Sequence, residues 1–404
     1  MELLKRELYL SQLRSKRNTP DIKIITGIRR SGKSKLMILY MDYLREIDPK
    51  CNIIFIDFRQ LEFDSLRDYH SLHTYVEEHY RAGCNNYLCI DEIQLCPNFE
   101  RAIDSLHAKE KYDIYLTGSN AFMLSSDLAT LFTGRYMEIE VYPFSYNEYC
   151  QYFHFDSYNQ SYFDQYVLWG GFAGSYQYPE DSDKVIYVKD VYNTIIQRDL
   201  VDKYRIADGH ILNRLVEFLM DNVGNVCSSN NITNLLNQNG VSVSHPTIGA
   251  YLEYLCRAYV FYKAKRYDIR GGKYLESMCK YYLADSGFRY SILGTRNMDY
   301  GRMYENIVFL ELRRRGYEVY IGKLYQKEID FVAMRHSEKL YIQVSDDISN
   351  ADTFLREYTP LLQIRDASPK WIIARTRHDT YTYQGILIHD LATWLSHSAI
   401  TLQS

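Results

Sequence analysis

Cysteine is scarce in this chain, eight among 404 residues. That count fits reduced intracellular thiols better than a disulfide framework. Long apolar runs are missing, and no stretch approaches the roughly 18 consecutive apolar residues that a membrane span needs. Glycine and proline, 20 and 8 residues, never gather into a linker. There is no internal repeat or low-complexity tract, so the units of the chain are expected to pack closely. Neither sign of charge dominates: 47 Lys and Arg against 51 Asp and Glu leave a net charge of −4. Nucleic-acid binding by bulk charge is thereby disfavoured, and only a local basic patch stays open. Metal-ligand spacing is absent as well. His70, His73 and His79 are completed by no cysteine or acidic pattern and read as a surface helix, while Cys84, Cys89 and Cys96 lack CxxC spacing and read as buried thiols.

What remains describes a folded protein of two or three domains. Hydrophobic residues make up 46%, aromatic residues 15% and charged residues 24%, enough apolar surface to offset chain entropy. Tyrosine is the outlier at 40 residues. The tyrosines show no fixed period, and Tyr158, Tyr162 and Tyr166, four residues apart, read as a packing stripe on a helix. At the N-terminus Leu3, Leu4, Leu8 and Leu13 are separated by charges, which predicts an amphipathic helix rather than a signal peptide and a cytoplasmic protein.

The first third alternates short apolar runs with helical patterns, the signature of a parallel α/β sheet. The expected strands are Ile22–Thr26, Asn52–Phe58, Tyr87–Ile90, Asp113–Thr117 and Tyr136–Val141, all continuous apolar runs of the kind buried on both faces. Four segments are expected: an α/β domain over 1–145, a helical extension over 146–205, a winged-helix-like unit over 206–299 and a C-terminal α/β domain over 300–404. In the third segment, helices around Leu212–Leu219, Ile232–Asn237 and His245–Arg257 precede a hairpin, Tyr259–Lys265 with Tyr274–Leu283. In the fourth, a helix precedes strands at Tyr317–Ile321, Ile329–Met334, Leu340–Val344 and Lys370–Ala374.

Gly27-Ile28-Arg29-Arg30-Ser31-Gly32-Lys33-Ser34 matches GxxxxGK[ST] in full, between a strand and a helix predicted over Lys35–Leu44. Such a loop turns its backbone N–H groups inward, and the helix N-terminus adds partial positive charge for phosphate. Lys33 would reach the β- and γ-phosphates, and Ser34 would offer its hydroxyl to Mg²⁺. Leu88-Cys89-Ile90-Asp91-Glu92 is an apolar strand ending in two acids. Asp91 there can hold the Mg²⁺ shell, and Glu92 can act as general base on water. A strand candidate, Asn52–Phe58, lies between the two motifs in the chain. That insertion, with Glu92, favours P-loop proteins that hydrolyse with a built-in glutamate over kinase-like transfer. After strand Asp113–Thr117 come Ser119 and Asn120, either of which can sense the γ-phosphate or orient water. Arg135 and Arg198 are the candidates for a charge-neutralising arginine, from the same or a neighbouring subunit.

Together GIRRSGKS, LCIDEIQ, YLTGSN, LFTGRY with VYPFSYNEY, and the WGGF element at Trp169–Phe172 resemble the prokaryotic AAA-superfamily ATPases. More narrowly, they resemble those with a C-terminal domain of unknown function built on a restriction-endonuclease-like core. The resemblance covers nearly the whole chain. It implies ATP and Mg²⁺ as ligands, with the glycine-rich loop and Lys35 at the nucleotide. It also implies a winged-helix connection to the C-terminal domain, and it gives Arg135 added weight as a trans-acting or sensor arginine. It supplies an activity and no biological role.

A restriction-endonuclease-like site needs carboxylates for Mg²⁺ and usually a lysine. Glu305 and Asp330 stand where the acids belong, but the closing strand offers Gln343 and Ser345 in place of the acid and the lysine. A retained fold with a lost or repurposed site is the expectation. Arg313, Arg314 and Arg315, and Lys263, Lys265, Arg266 and Arg270 along the hairpin, are candidate phosphate contacts or else solvated faces. Three functions stay open in that order: an Mg²⁺-dependent ATPase that rearranges its other domains, a nucleotide-gated DNA- or protein-binding module with little turnover, and an active nuclease. A homo-oligomer is expected if the arginine acts in trans.

Overall fold

The computed structural model describes residues 3–118, 132, 134–155, 160–295 and 298–397, with backbone only at 276 and 277. The chain forms two compact units, Met1–Tyr142 with Arg257–Tyr259, and Pro143–Cys256 with Val260–Ser404. The expected boundaries at 205/206 and 299/300 both fall inside the second unit.

In the first unit five parallel strands, β1 (Ile22–Thr26), β2 (Asn52–Asp57), β3 (Asn86–Asp91), β4 (Asp113–Thr117) and β5 (Tyr136–Glu140), lie in the order β2-β3-β4-β1-β5. Helices α1 (Glu7–Ser15), α2 (Lys33–Ile47), α3 (Tyr69–Glu78) and α4 (Phe99–His107) cover it. Alternation along the strands divides the core. Ile24, Ile56, Leu88, Ile90 and Leu116 pack with α3 and α4. Ile25, Tyr87, Cys89, Tyr115 and Ile139 pack with α1 and α2. Burial on both faces is why β1, β3 and β4 read as near-continuous apolar runs. The edge strand β5 departs from that expectation, alternating as YMEIE with Met137 and Glu138 exposed. The inserted strand is not the one the chain order indicates: β2 lies at the sheet edge, and β4 separates β1 from β3. Parallel pairing still aligns the strand ends, with Asp57 opposite Asp91 and Thr117 opposite Ile25.

The second unit begins with helices α5 (Tyr146–Phe153), α6 (Gln160–Trp169) and α7 (Asp181–Thr194), the last running on through a π-helical stretch, Ile195–Asp202. Helices α8 (Gly209–Asp221), α9 (Ser229–Gln238) and α10 (His245–Arg257) precede the hairpin β6 (Phe261–Asp268) and β7 (Lys273–Leu283). After α11 (Ser286–Leu293) and α12 (Tyr300–Arg314) come β8 (Glu318–Leu324), β9 (Lys327–Arg335), β10 (Glu338–Ser345), α13 (Ala351–Leu362), β11 (Lys370–Ala374), β12 (Tyr381–Tyr383), β13 (Ile386–Asp390) and α14 (Leu391–Ser396). The hairpin does not stand apart from these strands. β6 pairs in parallel with β8 at Arg266–Asp268, so one eight-stranded sheet runs β12-β13-β11-β10-β9-β8-β6-β7.

The WGGF element has a packing reason. A Cβ at Gly170 would meet Asp285 Oδ1 at 1.8 Å, and one at Gly171 would meet the Phe144 carbonyl oxygen at 2.2 Å. Removing both side chains lets the buried Asp285 carboxylate accept from the N–H of Gly171 (2.6 Å) and of Gly287 (2.8 Å). Tyr166, also buried, donates to Phe144 O (2.8 Å), while Tyr158 lies outside the described residues.

Candidate functional site

At the end of β1 the chain makes a turn that only glycine can begin. Gly27 has φ +128°, and a Cβ there would sit 2.1 Å from the carbonyl oxygen of Val141. Arg30 and Gly32 also take positive φ, 68° and 99°. The α2 amides then open with no side-chain cap and no acid in the first turn, which leaves the positive end of the helix for an anion. Lys33 is buried and folds back along the loop, its Nζ donating to the carbonyls of Gly27 and Ile28, both at 2.9 Å. Ile28 is buried, Arg30 and Lys35 are exposed, and Arg29 lies between. Ser31 Oγ is buried without a hydrogen-bond partner among the described residues. A hydroxyl held that way inside a glycine-rich turn fits a phosphate oxygen. From outside the motif, the buried Arg6 clamps the loop by donating to Ser31 O (2.8 Å) and Tyr142 O (2.9 Å).

Beside the loop stands Asp91, 1% exposed at the end of β3. Its Oδ1 accepts from Ser34 Oγ at 3.1 Å and from Thr117 Oγ1, and its Oδ2 accepts from Arg59 Nη2 at 2.5 Å. Burial pushes the Asp91 carboxyl above its ordinary range, against the pull of Thr117, Ser34 and the Arg59 charge. Arg59 also chelates Asp57, with Nε to Oδ1 and Nη2 to Oδ2 both at 2.9 Å. Burial would raise Asp57 as well, but the bonds and charge of Arg59 outweigh it and hold that carboxyl low. Glu92 follows in the left-handed region (φ 56°), its N–H donating to Thr117 Oγ1 at 3.1 Å and its Oε2 accepting from Gln94 Nε2 at 2.5 Å. A non-glycine residue held in that conformation is strained, and here the strain turns a carboxylate out beside Asp91's strand end.

The structure thus brings Lys33, Ser34, Asp91 and Glu92 to one edge of the sheet. Ser119 and Asn120 lie outside the described residues. Arg135 is exposed and pairs with Asp104 on α4 at 3.1 Å. Arg198 is exposed within the π-helical stretch of the second unit. Arg59, Thr117 and Arg6 escape the sequence reading. Arg59 had a signal, since Phe55-Ile56-Asp57 repeats the apolar-run-then-acid pattern of Cys89-Ile90-Asp91. Thr117 ends its strand two residues before Ser119, the first of the residues read as sensors, and nothing local marks Arg6.

In the second unit the basic run on α12 is largely spent. Arg314 Nη1 and Arg315 Nε pair with the two oxygens of Glu311 at 2.5 and 2.8 Å, and all three side chains are buried. Arg315 also lies over the Trp394 ring, 4.1 Å from its centroid. Neither arginine is open to a phosphate. On the hairpin, Lys263, Lys265 and Arg270 are exposed. Gln343 is tied at both ends, its Oε1 accepting from Asp330 N (2.7 Å) and its Nε2 donating to Glu357 Oε2 (2.8 Å). Ser345 Oγ donates to Asp347 O at 3.2 Å. A lysine does reach the acids, though from another strand: Lys280 of β7 lies 2.9 Å from Glu305 Oε1 and 2.7 Å from Glu328 Oε1. Among the described residues no three His, Cys, Asp or Glu side chains are arranged to hold a metal ion, in keeping with His73 bonded to Ser105 and His79 to Tyr75. No described helix is long and apolar enough to cross a membrane.

Residues 19–150 match an AAA domain, and residues 160–299 match a domain of unknown function (DUF8612). An uncharacterized protein of Haemophilus influenzae is 36% identical over 398 residues, 97% of this chain and 98% of its own length. An uncharacterized protein of Methanocaldococcus jannaschii is 25% identical over 350 residues, 82% of this chain and 76% of its own. Among solved structures, the ORC1 protein of Aeropyrum pernix in complex with DNA aligns at 12% identity over 76% of this chain and 93% of that one, with a TM-score of 0.32, too loose a likeness to add to the family match.

Proposed function

Because the chain belongs to the family of the Haemophilus influenzae protein and carries an AAA domain, we propose that it is an Mg²⁺-dependent ATPase. The observation that carries this reading is the placement of Ser34 Oγ 3.1 Å from the buried Asp91 carboxylate, directly after a glycine turn that opens α2 without a side-chain cap and holds the buried Lys33 and Ser31 side chains. In this reading Lys33 and the loop amides bind the phosphates, and Ser34 and Asp91 would hold Mg²⁺, which would supply positive charge to offset that on the phosphate oxygens. Glu92 takes the proton of the attacking water. Arg135 and Arg198 remain candidates for the charge-neutralising arginine, from the same or a neighbouring copy, the latter making the working form a homo-oligomer, and Ser119 and Asn120 remain the candidate sensors.

The winged-helix and restriction-endonuclease-like readings of the second unit rest on element order alone. They are supported by three helices before a hairpin, and by α12, three antiparallel strands, α13 and a parallel strand β11. With Gln343 and Ser345 both engaged elsewhere, the C-terminal part is read as a retained fold without nuclease activity. ATP turnover is proposed to rearrange this unit, and DNA is the partner that the exposed Lys263, Lys265 and Arg270 favour.

Binding of a fluorescent ATP analogue tests the core of the proposal. Lys33→Ala is expected to weaken it about 10- to 100-fold, the worth of a charge-assisted hydrogen bond of about 1.5–3 kcal/mol. Unchanged affinity would refute it. Phosphate release with and without duplex DNA then tests the partner.

A further inference from the structure

We propose that Arg59 is an internal cation of the phosphate site, which competes with the divalent ion for Asp91 and is drawn off by Asp57. The inference rests on the nucleotide reading above. Asp57 and Asp91 are register partners on adjacent parallel strands, and their carboxylates meet at the sheet edge. Two like charges placed so repel unless a cation lies between them. Arg59 is that cation. Its fork is closed on Asp57 by two bonds of 2.9 Å and touches Asp91 through one nitrogen at 2.5 Å. The Asp57 chelate is local, two residues apart, and fixed further by Arg59 N donating to Asp57 Oδ1 at 3.0 Å. The guanidinium can therefore release Asp91 and keep its other partner.

Asp91 has less freedom. Its Oδ1 is already shared between Ser34 and Thr117, so Oδ2 is the oxygen left for a metal shell, and Arg59 holds it. Arg59 is half exposed while Asp91 is 1% exposed. The solvent-exposed member of the pair is thus the arginine, beside a buried carboxylate. A planar fork that binds one carboxylate bidentately and the next by a single bond is a divided counterion, and a divalent cation arriving at Asp91 shifts it wholly onto Asp57.

The competition has a sign that packing alone would not produce. Magnesium titrations of fluorescent ATP-analogue binding, in metal-buffered solution, would compare the wild type with Arg59→Ala, Arg59→Lys and Asp57→Asn. Arg59→Ala removes the competitor, so half-saturating Mg²⁺ is expected to fall about 3- to 10-fold. Asp57→Asn removes the charge of the chelating carboxylate and leaves Asp91 as the one hydrogen-bonded carboxylate of the guanidinium, so the same quantity is expected to rise by a similar factor. Arg59→Lys, a point charge without the fork, should fall between alanine and wild type. Thermal unfolding of each variant confirms the fold, and the lysine variant keeps the test alive if alanine unfolds the edge. Shifts of the same sign in Arg59→Ala and Asp57→Asn, or no shift in Arg59→Ala, would overturn the proposal while leaving the ATP site intact. Binding indifferent to Lys33→Ala would instead remove the nucleotide reading, and this one with it.

Discussion

Replacing Glu92 by glutamine is expected to lower phosphate release by about 10²- to 10⁴-fold, the range for loss of a positioned general base, and to leave ATP affinity within a few-fold of wild type. The geometry favours that split. Glu92 follows β3 and is not one of the residues of the glycine loop proposed to bind the phosphates. It is set by its own strained backbone, by the N–H bond to Thr117 and by Gln94 donating to its Oε2. Glutamine keeps the shape and loses only the ability to take a proton. Single-turnover phosphate release and equilibrium analogue binding, measured side by side, check both halves. A nucleotide-gated binding module gives a different result: its already slow turnover and its partner binding would be nearly unaltered in the same variant. Loss of affinity equal to the loss of rate would mean that Glu92 binds nucleotide rather than activating water.

Much of the first unit could be read in advance because each of its signals is local. All five strands lie within a residue or two of where they are expected. In β1, β3 and β4 burial on both faces leaves no alternation to misread, while the edge strand β5 is found despite its exposed Met137 and Glu138. Lys33, Ser34, Asp91 and Glu92 stand on motifs whose spacing is fixed by one turn and one strand end. What escaped is what depends on neighbours far along the chain. The order of the sheet, with β4 between β1 and β3, is set by crossovers that no single segment encodes. Arg6 touches Ser31, and Thr117 touches Asp91, across separations of 25 and 26 residues. The basic run at Arg313–Arg315 shows the opposite failure. Its composition reads as a surface, but Glu311 lies one turn back on the same helix and Trp394 closes from α14, so Arg314 and Arg315 are drawn inward. The lysine missing from β10 is the same lesson in reverse, because the search ran along one strand while Lys280 arrives from β7.

That lysine is where substitution is expected to cost the fold most. Lys280 is buried, and Glu305, itself buried, accepts from both Lys280 Nζ and Tyr282 OH, the latter at 2.6 Å. The turn at Gly224 closes over the other side, where a Cβ would stand 3.1 Å from Glu305 Oε2. Burial alone would push the Lys280 ammonium toward neutrality, but the charges of Glu305, Asp330 and Glu328 outweigh it and hold the ammonium charged well above the ordinary lysine range. Burial and the charge of Glu305 meanwhile drive Asp330 up. Lys280→Met therefore strands buried carboxylates without a counterion, and about 3–5 kcal/mol of stability is expected to go with it. Urea unfolding reads that loss, and the double variant with Glu305→Gln should recover most of it, because removing both charges restores balance. The pH dependence supplies the sign. Without the ammonium, the Asp330 carboxyl, already raised, rises further above its unfolded value of about 4. Lys280→Met should therefore gain stability relative to wild type as pH falls from neutral toward about 5, where Asp330 takes up its proton in the folded state first. A variant whose deficit is small, or independent of pH, would show that the cluster is solvated and that Lys280 only decorates the strand.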